Sequence, residues 1–300
     1  MYNKRIAIIL INWNSFQYTW HCILSLNKIP QQNFTILVID NGSGDDSATK
    51  LIQTFPEIVL IRAGKNLGFS GGNNLGLQYA IDHGYEYSLL LNNDTEVTES
   101  FLSVLSAYMD AHTEVGAIQP KIYYYHNRNL IWNDGAYFQP VLGITYTPGH
   151  GKIADPSKDT IKPVDWITGC GFFIRNTVLQ KTGLLANEFF LYYEDVDLSF
   201  RIKKAGYSLI YHPGSVIYHI AGVATRKTEK EKEGFLDPMV HYYNTRNHLW
   251  LLRKHLPFLY IPTATLYTFL YTIAIMGYFV CRLRFTKAKA VWKGIKDGLK

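Results

Sequence analysis

Over its first 120 residues the chain alternates short, apolar, β-rich runs with longer stretches of helical character, the pattern that parallel βαβ units impose on a sequence. Strands are predicted at Ile6–Ile11, Thr35–Ile39, Val59–Arg62 and Ser88–Leu91, and helices at Phe16–Leu26, Ser47–Phe55, Asn73–Asp82 and Glu99–Ala111. An open α/β sheet follows. Such sheets bind ligands at the carboxyl ends of their strands, and each predicted strand here ends in polar residues: Asn12-Trp13-Asn14, Asp40-Asn41-Gly42-Ser43, Gly64-Lys65-Asn66 and Asn92-Asn93-Asp94.

Beyond that point the period weakens. Residues 121–164 are rich in Tyr, Asn, Gly and Pro and suit irregular strands and acceptor-side loops. From Trp166 the signal returns: a turn at Gly169-Cys170-Gly171, an acidic run Glu194-Asp195-Val196-Asp197 opening a helix to Ala205, and two short strands ending at His219. Arg226 to Glu233 reads as a solvated connector or mobile loop. Cys22, Cys170 and Cys281 show no CxxC or zinc-ligand spacing, so a reduced compartment is the simpler setting.

The net charge of +6 is local. Residues 282–300 carry seven Lys or Arg against one Asp, which equals the whole excess, so the remainder sums to zero. A nucleic-acid-binding body would carry its basic face within the domain, so no nucleic-acid partner is expected.

Three strand-end motifs suit a nucleotide sugar, and each also has a plainer reading. Asp40 at the sheet edge can accept a hydrogen bond from a base imide, or simply form an Asx turn. The run from Lys65 to Asn74 clusters glycines where a loop enters a helix, whose first N–H groups can face a phosphate. It is neither a GxGxxG fingerprint nor a P-loop, and a plain helix start is the alternative. Asp94 ends Asn92-Asn93-Asp94, where a carboxylate suits Mg²⁺ or Mn²⁺ shared with a diphosphate; a strand-end turn is the alternative.

In their order and spacing, the Asn12 strand, Asp40-Asn41-Gly42-Ser43, Asn66-Leu67-Gly68-Phe69, Asn92-Asn93-Asp94 and Glu194-Asp195 resemble family 2 glycosyltransferases of the GT-A fold, especially rhamnosyltransferase-like bacterial members. The resemblance spans about residues 4 to 250. It implies an inverting transfer of a sugar, rhamnose among the candidates, from a nucleoside-diphosphate donor to a glycan or lipid-linked acceptor in surface polysaccharide synthesis, at the cytoplasmic face of a bacterial membrane. It also implies that Asp40 contacts the base, with Asn12, Lys65, Asn66, Gly68, Asn93, Asp94 and Gly169 lining the donor side. Asp94 and His219 are implied as ligands of Mn²⁺ or Mg²⁺, Asp195 as the base, and Trp166 and Glu194 as acceptor-side groups. Asn92 stands where the two-carboxylate form of the metal motif has Asp.

Leu256 to Cys281 holds no charged side chain. As a helix, Thr263–Cys281 would be about 28 Å long at about 1.5 Å per residue, near the bilayer core of about 30 Å. A single span would put the basic tail outside, against the positive-inside tendency, so an in-plane or re-entrant arrangement is expected. In the tail, Phe285, Ala288, Trp292, Ile295 and Leu299 form an apolar stripe between lysines, a pattern that suits an interfacial helix on anionic lipid, a soluble helix docked on the core being the other reading. The expected organisation is a GT-A α/β domain over 1–222, a connector and helix over 223–255, and membrane-associating helices over 256–300. One rival is a catalytically silent nucleotide-sugar or glycan-binding subunit, which intact Asp94 and Asp195 disfavour. A nucleotide-sugar epimerase or dehydrogenase lacks its glycine fingerprint here.

Overall fold

The computed structural model describes residues 5–30, 33–222, 226–231 and 234–300. Its elements run β1 (Ile6–Asn12), α1 (Phe16–Leu26), β2 (Phe34–Asp40), α2 (Ser47–Thr54), β3 (Val59–Arg62), α3 (Gly68–Asp82), β4 (Tyr87–Leu91), β5 (Thr95–Val97), α4 (Phe101–Ala111), β6 (Val115–Tyr124), β7 (Asn127–Asn133), β8 (Tyr137–Gln139), β9 (Ile144–Tyr146), β10 (Lys162–Pro163), β11 (Gly171–Arg175), α5 (Asn176–Thr182), α6 (Glu194–Lys204) and β12 (Ser208–His219). Then follow β13 (Arg226–Glu231), β14 (Gly234–Leu236), α7 (Pro238–His255), α8 (Ile261–Cys281) and α9 (Phe285–Gly298).

Among the described residues the main sheet has ten strands, with the path β10-β12-β6-β11-β4-β1-β2-β3 and β5 and β7 attached to β12 and β6. β4, β1, β2 and β3 are parallel, while β11 runs antiparallel between β4 and β6. This mixed sheet between helical layers is the GT-A architecture. In β1, Ile6, Ile8 and Leu10 join the core shared with α1, α2 and α4, whereas Ala7 and Ile9 join the core shared with α3, α5 and α6. Burial on both faces is why the strands read as unbroken apolar runs.

Two expectations need correcting. Helix α3 begins at Gly68 rather than Asn73. Its glycines let the helix lie close on β1: a Cβ at Gly76 would come within 2.6 Å of Ile9 Cγ2, and one at Gly72 within 3.0 Å of Ile11 Cδ1. The segment expected as two strands before His219 is one strand, β12, whose register shifts between His212 and Val216. Pro213 and Gly214 make that irregularity and read as a break in the sequence.

Contacts divide the chain into two compact units. The first comprises residues 1–137, 147–190 and 194–221, and holds the sheet and every candidate site residue. The second gathers residues 138–146, 191–193 and 222–300. Within it, the stretch expected as a solvated connector pairs β13 with β14; Lys232 and Glu233 lie outside the described residues. α7 and α9 pack closely, since a Cβ at Gly294 would lie 2.7 Å from the Tyr242 carbonyl oxygen and one at Gly298 2.8 Å from Leu249 Cδ1. That packing splits the apolar stripe expected on α9. Ala288 is buried with Val291, Gly294 and Gly298, while Phe285, Trp292 and Leu299 stay exposed. Glycine carries little hydropathy and so hides the face that approaches its neighbour most closely. By length and composition, residues 258–281 could cross a membrane, and 17 % of the most apolar window is buried. Leu266, Phe269, Leu270 and Ile273 lie on its exposed surface.

Candidate active site

The site is built where β1, β2, β4 and β12 end. Asn12 closes β1 but is fully buried: its amide donates to Ser47 Oγ at 2.8 Å and Ser43 Oγ at 3.2 Å, and its Oδ1 accepts from Thr19 Oγ1 at 2.8 Å. These bonds tie the loop after β1 to the one after β2. The Asn12 amide has its hydrogen bonds made within the fold, as buried polar groups do.

Asp40 ends β2 with Oδ1 accepting from the Ser43 amide at 3.2 Å and Oδ2 lying 3.5 Å from Arg62 Nη1. That bond reaches three residues on rather than the two of an Asx turn, and the second oxygen lies beside an exposed guanidinium. Next to it, buried Asn41 holds the following loop: its Oδ1 accepts from Leu67 N at 3.0 Å, and its Nδ2 donates to Gly68 O at 3.0 Å and Asn66 Oδ1 at 3.3 Å. Gly42 lies against that loop, since a Cβ there would be 2.4 Å from the Lys65 carbonyl carbon. Lys65 and Asn66 remain exposed at its tip. Sequence reasoning passed over Asn41, although its place beside Asp40 at a strand end was the available signal.

The glycine-rich helix start makes its first hydrogen bonds within the protein. The N–H groups of Phe69 and Ser70 donate to the Phe190 carbonyl at 2.6 and 3.3 Å, and a Cβ on Gly68 would meet that same oxygen at 2.4 Å. Gly68 is buried under Phe190, and at φ +71° it takes the left-handed conformation that glycine adopts without strain. The N–H groups of Phe69 and Ser70 are thus spent inside the fold.

After β4, Asn93 Nδ2 donates to Ser15 Oγ at 2.7 Å and Thr19 Oγ1 at 2.8 Å, fastening the metal motif to α1. Asp94 is nearly buried, and its Oδ1 lies 3.1 Å from His219 Nε2 at the end of β12. Asn92 Nδ2 lies 3.2 Å from the same ring nitrogen. His219 Nδ1 is buried without a hydrogen-bond partner, and Trp132 packs edge-on against the ring at 4.7 Å. No cluster of three His, Cys, Asp or Glu residues suited to a metal occurs among the described residues. A carboxylate and an imidazole together fit an oxygen-seeking divalent ion that draws its other ligands from substrate phosphates and water.

Helix α6 opens on Glu194-Asp195. Asp195 Oδ2 accepts from the Gly169 amide and Oδ1 from the Val196 amide, both at 2.8 Å. Burial nonetheless pushes Asp195 up to about 6, against the lowering effect of those N–H donors. Glu194 is 4 % exposed and its Oε2 has no hydrogen-bond partner. Burial, and after it the neighbouring Asp195 charge, holds it well above the usual carboxylate range. The helix is anchored lower down by Asp197, fully buried and bonded to Arg201 Nε at 2.8 Å; Arg201 also donates to the carbonyls of Thr182, Gly183 and Leu184. The chain enters α6 through Phe190, Tyr192 and Tyr193 at φ 66, 72 and 71°, positive-φ conformations that cost non-glycine residues on the order of 1–3 kcal/mol each.

One turn joins the two halves of the site. Gly169 donates to Asp195, while the next carbonyl, that of Cys170, accepts from Asn92 N at 3.2 Å. The Gly169 amide is therefore committed to the Asp195 carboxylate. Trp166, three residues earlier, donates its indole N–H to the Tyr137 carbonyl at 3.1 Å and remains partly exposed.

Comparison with known proteins bears on the family and the fold. The family model of glycosyl transferase family 2 matches residues 7–182. The dTDP-rhamnosyl transferase RfbF of Shigella flexneri is 23 % identical over 92 % of the chain and 89 % of its own length. The N-acetylglucosaminyl-diphospho-decaprenol L-rhamnosyltransferase of Mycobacterium tuberculosis is 22 % identical over 83 % of the chain and 85 % of its own length. Among solved structures, the mannosyltransferase PcManGT from Pyrobaculum calidifontis, in complex with GDP-Man and Mn²⁺, superposes with a TM-score of 0.58 at 13 % identity, over 98 % of this chain and 87 % of that one.

Proposed function

The chain belongs to glycosyl transferase family 2, and from that premise we propose that it moves a sugar, with rhamnose first among the candidates, from a nucleoside-diphosphate donor to a glycan or lipid-linked acceptor with inversion. The sugar and acceptor rest on the names of the two relatives, a dTDP-rhamnosyl transferase and a rhamnosyltransferase acting on a decaprenol diphosphate. The observation that carries the chemistry is the Gly169–Cys170 turn, which holds Asp195 by one amide and the Asn92–Asp94 segment by one carbonyl.

In this reading an acceptor hydroxyl loses its proton to Asp195 as its oxygen bonds to the anomeric carbon. The bond from that carbon to the diphosphate breaks, and its electron pair leaves with the diphosphate. A base that titrates near the working pH can take the proton and later release it. Glu194 beside it has its carboxyl pushed upward by burial and by the Asp195 charge, which disfavours a second negative charge near the attacking oxygen. Asp94 and His219 would hold Mn²⁺ or Mg²⁺, which offsets charge on the departing diphosphate. Asp40 serves the base of the nucleotide, Lys65 and Asn66 lie at the mouth, and Trp166 shapes the acceptor side.

We also propose that the second unit rests on the inner surface of a membrane, with the exposed apolar residues of α8 in lipid and the basic residues after Cys281 near anionic headgroups. A lipid-linked acceptor would then be met in the plane where it resides. The functional test is a panel of nucleotide sugars that includes dTDP-rhamnose, with a polyprenyl-diphosphate-linked N-acetylglucosamine acceptor and Mn²⁺. Metal-dependent glycosylation of the acceptor from one donor supports the reading. A folded chain that binds donors and transfers from none would support the rival of a silent binding subunit.

A further inference from the structure

Within the first unit, the turn bonded to Asp195 is itself tied to α6 by a second side chain. Ser199 lies one helical turn after Asp195 and has no exposed surface. Its hydroxyl donates to the Asp195 carbonyl at 2.7 Å and accepts from the Ile167 amide at 3.1 Å. A serine hydroxyl carries one hydrogen and two lone pairs, so one oxygen serves both bonds. The bond to the carbonyl four residues back is ordinary for a helical serine; the amide arriving from outside the helix is what makes a tie. Two residues after Ile167, the Gly169 amide donates to Asp195 Oδ2 at 2.8 Å. These three bonds form a closed circuit from Ile167 through Ser199 and Asp195 to Gly169. The turn within it is tight: Gly171 N donates to the Thr168 carbonyl at 3.2 Å and Cys170 N to Thr168 Oγ1 at 3.4 Å. Ile167 is fully buried as well, so solvent offers its amide no other partner.

We propose that Ser199 is a positioning residue for the base: its hydroxyl ties the first turn of α6 to the segment leading into Gly169, and so keeps the Gly169 amide on the Asp195 carboxylate. The inference rests on Asp195 being the base. Alanine at 199 leaves the Ile167 amide buried and unpaired, an unfavourable state for a backbone donor, so the segment shifts to find a partner and carries Gly169 with it. Cysteine fills the same place with a weak donor and a weak acceptor. The circuit also leaves a mark on acidity. The Gly169 and Val196 amides lower Asp195 against the effect of burial. The titratable groups that face it among the described residues, Glu194 and Cys170, are both pushed upward by burial. Losing the Gly169 amide removes one of the lowering contacts, so Asp195 moves further up from about 6.

The test compares full-length wild type with Ser199→Ala and Ser199→Cys in transfer from dTDP-rhamnose, or from whichever panel donor the wild type turns over, with dTDP, UDP and GDP binding measured by calorimetry. A misplacement of about 1 Å can cost about 10²-fold in rate. For Ser199→Ala the expected result is a fall of about 10- to 100-fold in kcat, with donor KM and nucleotide affinity within about threefold of wild type. The inflection in the pH profile of its kcat should lie above that of wild type. Ser199→Cys should show the same changes to a smaller extent, and carries the comparison if the alanine variant does not fold. Unchanged kcat in the folded variant that carries the comparison overturns the proposal. So does a parallel loss of nucleotide binding and kcat, or a fall in kcat with the inflection unmoved. Asp195→Asn, run alongside, separates the two levels: wild-type turnover there defeats the base assignment, whereas an inactive Asp195→Asn beside a fully active Ser199→Ala defeats only the role of Ser199.

Discussion

Gly169 donates its amide to Asp195 Oδ2 at 2.8 Å, while the Phe69 ring occupies the space on its other side, 2.7 Å from where a Cβ would lie. A side chain cannot be added there without moving Phe69 or the turn. Gly169→Ala is expected to lower transfer by about tenfold or more, as displacement of a catalytic group does, while leaving nucleotide affinity within a factor of a few. Steady-state kinetics with calorimetric nucleotide titration checks this; full activity would mean that the turn is not a support for the base.

The raised carboxyls predict a pH dependence of stability. An unfolded Asp titrates near about 3.9, whereas Asp195 sits at about 6 and Glu194 well above its usual range. Between those values the folded chain binds more protons than the unfolded one, so these groups make stability fall as pH rises from about 4 to beyond about 6. Glu194→Gln and Asp195→Asn should therefore raise Tm at pH 7.5 and change it little at pH 4. Equal shifts at both pH values would contradict the assignment.

The metal pair predicts a requirement for nucleotide. With Asp94 and His219 as its protein ligands, the chain alone should bind Mn²⁺ weakly, and adding a nucleoside diphosphate should strengthen binding because the phosphates supply the missing oxygens. Asp94→Ala should impair this more than His219→Ala, since it removes the charged ligand. Titration of Mn²⁺ by electron paramagnetic resonance, with and without nucleotide, checks both expectations. Full transfer in excess chelator would rule out a metal-assisted leaving group.

Asp197 and Arg201 hold α6 in place, and breaking a buried pair strands one charge at a cost of about 3–5 kcal/mol. Asp197→Ala is expected to lower stability on that scale by denaturant titration. A loss under about 1 kcal/mol would show that Arg201 is held well enough by its three carbonyls.

Membrane attachment is checked by flotation with anionic vesicles. Changing Leu266, Phe269 and Leu270 to Gln should reduce binding at all salt concentrations, because burial of apolar surface is not screened. Changing Lys289, Lys293 and Lys296 to Gln should mainly remove the salt-sensitive part, about 1 kcal/mol per cation near the surface. Wild-type flotation by the α8 variant would show that this helix covers protein instead.

The order of β1 to β4 with their helices was legible because apolar period and strand-end polarity agree there. Asp94, His219 and Asp195 were singled out by resemblance, through motif order, and the structure brings Asp94 beside His219. Less visible were the residues whose work depends on backbone. Asn41 looks like an ordinary polar residue in sequence, since its partners, Leu67 N, Gly68 O and Asn66 Oδ1, lie in a loop that the sequence does not bring near. The glycines in the run from Lys65 to Asn74 suit a helix start that faces a phosphate as well as a plain, closely packed one, and the packing shows only through the positions of Ile11 and Phe190. On α9, Gly294 and Gly298 left no apolar mark.

The central claim, that Asp195 is the base of a glycosyl transfer, is tested most directly by single-turnover transfer of the donor sugar by wild type and Asp195→Asn from pH 5 to 8. Wild-type rate should rise with pH through about 6 and level off, and Asp195→Asn should be slower by about 10²–10⁴-fold, with nucleotide affinity retained and no inflection near 6. Transfer by folded Asp195→Asn at the wild-type rate, with the same pH profile, would contradict it.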